Sequence, residues 1–118
     1  MAKIINFKTH NDKRGSLTVI EEQVPFDIKR VFYIYNVDDS RRGLHKHKIT
    51  RQLAVCVKGS CDIVIENTEN ETYKLDRPEI GLIIEPEDFH WMENFSKDSI
   101  LLILASEFYD EKDYLYEN

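Results

Sequence analysis

Residues 42–66, RGLHKHKITRQLAVCVKGSCDIVIE, decide the fold. The second half of this stretch contains two runs of apolar and β-branched residues, 52–57 and 61–66, on either side of Lys58-Gly59. Short runs of this kind, bounded by a glycine turn, are typical of β-strands. We therefore expect a two-residue hairpin turn at Lys58-Gly59 with Cys56 opposite Cys61.

The same pattern recurs along the chain. Similar short runs, separated by polar, glycine or proline turns, occur at residues 16–21, 30–36, 72–75, 81–85 and 100–105. So many short strands in 118 residues indicate a sandwich or a barrel. A helical pattern occurs only at residues 106–116, where Ser106 is a candidate N-cap. The sequence predicts one all-β domain spanning residues 1–118, with a short C-terminal helix.

Composition limits where the protein acts. Hydrophobic residues make up 42% and charged residues 32%, which is enough for a core and a charged surface. No apolar run approaches the roughly 20 residues that cross a bilayer, and the N-terminus lacks the apolar region of a signal peptide. We expect a cytoplasmic protein with no membrane association, in which Cys56 and Cys61 are reduced packing thiols.

Charge is distributed unevenly along the chain. Residues 29–51 contain seven basic and two acidic residues, which is a charge of +5. The rest of the chain carries −11, and the two parts together give the net charge of −6. A basic segment in an acidic protein suits a small phosphorylated ligand better than nucleic acid, although a solvated charged loop is the plainer alternative. With only four glycines the chain has no glycine-rich phosphate loop, so side chains must hold any phosphate.

Three of the four histidines fall in two blocks. His45 and His47 are two residues apart and would project from the same face of a strand, which delivers two imidazoles to one cavity. Gln52 follows after four residues. The second block runs from Gly81 to Asn94 and contains His90.

These blocks resemble the two motifs of the cupin family, and this resemblance implies a small double-sheet jelly-roll barrel. Two positions depart from the family pattern: Gln52 replaces the metal-binding glutamate, and Asp88 replaces a glycine. An amide adds no charge to a metal site, and neighbouring cations disfavour a dication, so we expect histidine acid–base chemistry without a metal. A metal-dependent cupin enzyme remains the alternative.

A closer resemblance covers nearly the whole chain. The segments VPFDIKRVFYIYNV, RRGLHKHK and LASEFYDEKDY occur in the order found in the sugar 3,4-ketoisomerases that act on dTDP-4-keto-6-deoxyglucose. This resemblance implies a metal-independent and cofactor-independent isomerase of bacterial deoxysugar biosynthesis. The keto group would move from C4 to C3 through an enediol, with the C4 configuration of the product left open. A non-catalytic sugar-nucleotide binding protein is the second alternative.

The reaction requires a base beside C3 and donors for the developing oxygen charge. We assign His47 as the principal base, with His45 as proton shuttle or as the group that orients the sugar hydroxyls. Tyr33 is predicted to donate to a sugar oxygen, and Arg42 to bind that oxygen or a phosphate. Tyr33 also fits a plain core position, and His45 and His47 also fit a remnant metal site.

The remaining site residues are predicted to bind substrate: Arg14, Arg30, Gln52, His90 and Lys48. Arg14 and Arg30 are the candidates for the pyrophosphate, because a guanidinium fork matches paired phosphate oxygens. Arg14 also fits a purely structural role in a turn, and His90 fits a pocket wall as well as a catalytic role.

We also expect a homodimer. Small barrels have exposed edge strands, and the apolar runs 31–35 and 100–104 exceed what one small core covers. The family resemblance implies the same state, with N-terminal strands exchanged so that Arg14 approaches the other subunit's cavity.

Overall fold

The structure, a computed structural model, describes all 118 residues and is built almost entirely from β-strands. The strands are β1 Lys3–Asn6, β2 Lys8–Asp12, β3 Gly15–Val19, β4 Arg30–Tyr35, β5 Arg42–His47, β6 Gln52–Lys58, β7 Cys61–Glu66, β8 Asn70–Leu75, β9 Ile80–Ile84, β10 His90–Glu93, β11 Ile100–Ala105 and β12 Tyr114–Leu115. One 3-10 turn, Glu111–Asp113, is the only helical element.

Two five-stranded antiparallel sheets make up the barrel. The first has the strand order β1-β9-β6-β11-β4, and the second has the order β12-β5-β10-β7-β8. Strands β2 and β3 form a separate hairpin. The predicted all-β, double-sheet architecture is confirmed. The structure contains no helix long and apolar enough to span a membrane.

Alternation along the strands produces the core between the sheets. On β4, Phe32 and Ile34 pack against the core while Tyr33 and Tyr35 lie on the outer face. Strands β6 and β9 are instead buried on both faces. Their outer face is covered by a second apolar cluster that includes side chains from the segment between β3 and β4. This explains why β6 and β9 are continuously apolar.

The hairpin predicted at Lys58-Gly59 is wrong. Strand β6 pairs with β9 and β11, whereas β7 pairs with β10 and β8, so the chain crosses from one sheet to the other at this turn. Cys56 and Cys61 are nevertheless free thiols in the same core cluster, and the expectation that they pack in the core is confirmed.

The predicted helix over residues 106–116 is also wrong, apart from the single turn at Glu111–Asp113. The segment runs back to β5, where Tyr114 pairs with His47 and Leu115 with Lys46. Asp113 is buried and accepts hydrogen bonds from the backbone N–H groups of Lys48 and Ile49, which directly follow β5. These tertiary contacts outweigh a helix propensity that is weak in an eleven-residue stretch.

Candidate active site

Strands β5 and β10 bring three histidines together inside the barrel. His45 lies opposite His90 in the strand register, and His47 follows two residues further along the same face. The ring of His45 is 5.0 Å from that of His47 and 5.0 Å from that of His90, measured between centroids. His47 and His90 are both buried. The structure thus groups the predicted pair His45 and His47 with His90 of the second block.

A bulge in β5 fits this strand against β10. The pairing shifts where His45 opposes His90 but Gly43 opposes Trp91, so that Leu44 is the extra residue. Gly43 has a φ of +97°, and a Cβ atom there would lie 3.2 Å from the carbonyl oxygen of His90. Glycine is therefore required for the close approach of the two histidine strands.

Hydrogen bonds fix which nitrogen of each imidazole faces the cavity. Nδ1 of His45 donates to the carbonyl of Gly43 at 3.0 Å, and Nδ1 of His90 donates to the carbonyl of Asp88 at 2.9 Å. Because a carbonyl only accepts, both neutral rings carry the lone pair on Nε2. The Nε2 atoms of His47 and His90 are buried and have no partner in the protein. These two atoms are thus acceptors that the protein itself leaves unsatisfied.

His47 is held by a carboxylate that the sequence reasoning missed. Its Nδ1 lies 2.8 Å from Oδ2 of Asp113, which also accepts a hydrogen bond from the hydroxyl of Thr50. Oδ1 of Asp113 accepts from the backbone N–H groups of Lys48 and Ile49 at 2.9 and 2.8 Å. The available signal was the Asp-Tyr pair that ends the segment LASEFYDEKDY.

The electrostatics keep these histidines neutral at pH 7. Burial lowers the pKa of His45 and of His90 to about 4. Burial also lowers the pKa of His47, while Asp113 opposes that shift. Burial alone would raise the pKa of Asp113, but hydrogen bonds from Thr50 and Ile49 and the proximity of His47 hold it below its usual range. A neutral imidazole beside an ionised carboxylate is the arrangement of a general base.

Two further predicted residues lie on the inner face of the first sheet. Arg30 and Gln52 both lie opposite Ala105 in the register of β4, β11 and β6, so their side chains share the inner face with a small residue between them. Nε of Arg30 and Oε1 of Gln52 are buried without a partner. Five of the predicted site residues thus lie on the inner faces of the two sheets: His45, His47 and His90 on the second sheet, and Gln52 and Arg30 on the first.

Three tyrosines from the C-terminal segment complete the surroundings and were not predicted. The Tyr114 ring lies 4.5 Å from that of His47 and 4.9 Å from that of His45, between centroids. Tyr116 is exposed and stacks with Tyr114 at 6.3 Å, and exposed Tyr109 lies 5.7 Å from Tyr114. The site thus has an aromatic border that reaches solvent.

Tyr33 lies apart from the histidine cluster within one chain, and its predicted catalytic role stays a prediction. It lies on the outer face of β4, is 62% exposed and stacks against Tyr35. Strand alternation explains this position, because Arg30 and Phe32 take the inner positions.

Three other predicted residues lie outside the histidine cluster. Arg42 is exposed, and its register partner Met92 places it on the inner face of β5 beyond the bulge. The side chain of Lys48 is exposed, and only its backbone N–H contacts Asp113. Arg14 lies in the β2–β3 turn, where it pairs with Asp12 at 2.6 Å.

No three histidine, cysteine, aspartate or glutamate side chains are arranged to hold a metal ion. At the position of a cupin's metal-binding glutamate stands the amide of Gln52, which offers an oxygen without charge. The donor set of this cavity is therefore poorer in charge than that of the usual zinc or iron site.

Comparison with known proteins agrees with this geometry. The family model described as "FdtA: WxcM-like, C-terminal" matches residues 1–118. The chain is 43% identical over 122 residues to the TDP-4-oxo-6-deoxy-alpha-D-glucose-3,4-oxoisomerase of Aneurinibacillus thermoaerophilus, covering 98% of this chain and 88% of that protein.

Two solved structures are similarly related. A mutant of the 3,4-ketoisomerase QdtA from Thermoanaerobacterium thermosaccharolyticum, in complex with TDP-4-keto-6-deoxyglucose, is 42% identical with a TM-score of 0.95, covering 98% of this chain and 87% of that one. The TDP-quinovose 3,4-ketoisomerase WlaRB of Campylobacter jejuni is 42% identical with a TM-score of 0.93, covering 98% and 92%. The chain therefore belongs to the FdtA family of sugar 3,4-ketoisomerases.

Proposed function

We propose that this protein converts TDP-4-keto-6-deoxyglucose to its 3-keto isomer, in bacterial deoxysugar biosynthesis, with residues 1–118 acting as one catalytic domain. The observation that carries the proposal is the His47–Asp113 pair, in which Nδ1 of His47 contacts the carboxylate and its Nε2 atom is buried without a partner in the protein. The relatives that share the fold and about two-fifths of the residues are named for this class of reaction.

His47 begins the reaction as the base. Its Nε2 atom takes the C3 proton, the C–H electrons form the C3–C4 double bond, and the C4 carbonyl electrons move onto oxygen to give an enediolate. Asp113 stabilises the imidazolium that results, since it is an ionised carboxylate on Nδ1. The reaction needs neither oxidant nor reductant, because one carbonyl is lost and one is formed.

Reprotonation at C4 completes the isomerisation. His45 lies 5.0 Å from His47 between ring centroids and is neutral, so it carries the proton from the C3 hydroxyl to the C4 oxygen. The proton held by His47 then returns to carbon at C4, and the C3–O bond becomes the new carbonyl. Both histidines end in the state in which they began, as a catalytic cycle requires.

Polar and aromatic residues around the three histidines are assigned to substrate binding. Gln52 Oε1 and His90 Nε2 are buried acceptors without a protein partner, and sugar hydroxyls are donors that match them. Arg42 and Lys48 are exposed cations on and next to β5, and we assign them to the diphosphate. The exposed rings of Tyr109 and Tyr116 offer stacking surfaces to the thymine base.

In a dimer, Arg14 would also bind the diphosphate. The β2–β3 hairpin packs in a sheet of its own, and its Leu17 side chain is 60% exposed. Exchange of N-terminal strands with a second copy would cover this hairpin and carry Arg14 to the partner's diphosphate. We place the enzyme in the cytoplasm, where the free thiols of Cys56 and Cys61 remain reduced.

The experiment is turnover of TDP-4-keto-6-deoxyglucose by the chelator-treated protein in deuterium oxide. We expect deuterium at C4 of the product, and no turnover by His47→Asn while that variant still binds TDP. Absence of deuterium at C4 would refute the proposal, and tight binding without exchange would identify a binding protein. Activity that depends on an added metal would favour the metal-dependent alternative.

A further inference from the structure

Arg30 stands out among the cations of the chain because it lies inside the barrel without a carboxylate. Its Nε atom is buried and unpartnered, and none of the nine ion pairs of the structure includes it. Its guanidinium carbon lies 5.2 Å from the Phe32 ring centroid and 5.7 Å from that of Tyr109. Arg30 is half-buried, and a guanidinium whose buried Nε atom has neither a counter-ion nor a hydrogen-bond partner favours an anionic or strongly polar ligand.

The position of Arg30 separates two possible ligands, a diphosphate and a sugar oxygen. Strand register places Arg30 in line with Gln52 across Ala105, on the inner face of the first sheet. Burial is the main cause of the lowered pKa of His47, and the charge of Arg30 lowers it further, as expected for a guanidinium on the inner face that opposes β5. Whatever part of the substrate lies against His47 also lies near Arg30, and in the proposed reaction that part is the reacting end of the sugar.

The buried polar atoms without a partner also favour a sugar oxygen over a diphosphate as the ligand of Arg30. Nε2 of His47, Nε2 of His90 and Oε1 of Gln52 are acceptors, and Nε of Arg30 is a donor. Sugar hydroxyls donate to the three acceptors, while a ketone oxygen only accepts. Among these four atoms, the donor that a ketone needs is supplied by Arg30.

We infer that Arg30 binds the ketone oxygen of the sugar and stabilises the enediolate, and that it does not hold the diphosphate. This inference rests on the proposed function and revises the expectation from sequence that Arg30 binds the pyrophosphate. When His47 removes the C3 proton, the C4 oxygen gains the electron pair of its carbonyl bond, and the guanidinium neutralises that charge without transferring a proton. The same contact serves the C3 oxygen in the reverse direction.

The test compares turnover with nucleotide affinity in Arg30→Met and Arg30→Lys. Methionine keeps the apolar contact with Phe32 and Tyr109 but removes the charge. We expect Arg30→Met to lower kcat by about 10²- to 10³-fold, the usual loss for one oxyanion donor. Arg30→Lys should recover part of that loss. The dissociation constant for TDP, which lacks the sugar, should change by less than about threefold in both variants, because the contact is with the sugar.

Arg77→Met is the matched control, since Arg77 is an exposed arginine outside the proposed site and pairs with the neighbouring Asp76. It should match the wild type in kcat and in TDP affinity. Circular dichroism and thermal melts identify any variant that does not fold, and Arg30→Lys then provides the comparison.

Two results would overturn the inference. One is a loss of TDP affinity of about tenfold or more in either Arg30 variant, which would assign Arg30 to the diphosphate. The other is an Arg30→Met kcat within about threefold of the wild type. An inactive wild type would instead refute the proposed function, so the two failures are distinguishable.

Discussion

Replacing Asp113 by asparagine tests the catalytic pair with little change in shape. Oδ1 of Asp113 accepts from the backbone N–H groups of Lys48 and Ile49. An amide presents one acceptor and one donor, and two N–H groups at this position require the acceptor. The amide NH2 group must then face His47 and Thr50.

This forced orientation reverses the tautomer of His47. Its Nδ1 atom, which now donates to Asp113, would have to accept from the amide, so the ring proton moves to Nε2. No lone pair would face the sugar, and the charge that stabilises the imidazolium would be lost. We expect kcat to fall by about 10²- to 10⁴-fold, equivalent to about 3 to 5 kcal/mol.

The assay is steady-state turnover together with TDP binding and urea unfolding. Asp113→Asn should bind TDP like the wild type and lose about 1 to 3 kcal/mol of unfolding free energy, because charge-assisted hydrogen bonds become neutral ones. Asp110→Asn is the control, since the exposed Asp110 side chain accepts only from the backbone of Lys112. Turnover by Asp113→Asn within about tenfold of the control would contradict the assignment of His47 and Asp113 as a unit.

Three further predictions concern the backbone at Gly43, the protonation of His90 and the need for a metal. Gly43→Ala should cost about 1 to 3 kcal/mol in urea unfolding and lower turnover, because φ is +97° and Cβ would press on the His90 carbonyl; unchanged stability would mean that the bulge adapts. Between pH 7 and pH 5 the wild type should lose roughly 1 to 2 kcal/mol more stability than His90→Asn. The pKa of His90 is about 4 when folded, so below its unfolded value near 6.5 only the unfolded state gains the proton, and equal losses would count against a neutral buried His90. Prolonged chelation should leave kcat unchanged, because Gln52 cannot supply the carboxylate of a metal site; activity restored only by added zinc or iron would contradict this.

Local periodicity predicted seven of the twelve strands, because each of these seven carries its own apolar pattern. The runs 61–66 and 100–105 match β7 and β11, and five others differ only at their ends. The predicted hairpin at Lys58-Gly59 was wrong because the turn type depends on distant strands. A hairpin and a crossing between sheets have the same local sequence, and the choice depends on which distant strands pair with each arm.

The site was predictable where spacing alone determines position. Alternation along β5 put His45 and His47 on one face, as predicted. On β4 the same rule puts Tyr33 on the outer face, because Arg30 and Phe32 take the inner positions. Asp113 lies 66 residues from His47, and no short-range pattern links them. Asp88, a departure from the cupin motif, proved structural: its side chain accepts from the N–H of Glu85, and its carbonyl accepts from His90.

The two-residue strand β12 gives the molecule an uneven resistance to unfolding. Asp113 precedes Tyr114 and Leu115, which pair only with β5 at the edge of the second sheet. Short edge elements open at a lower free energy than central strands such as β6, which is paired on both sides. We therefore expect the Asp113 carboxylate, which orients His47, to be released before the other site residues. Heat or urea should then abolish turnover while the barrel is still folded.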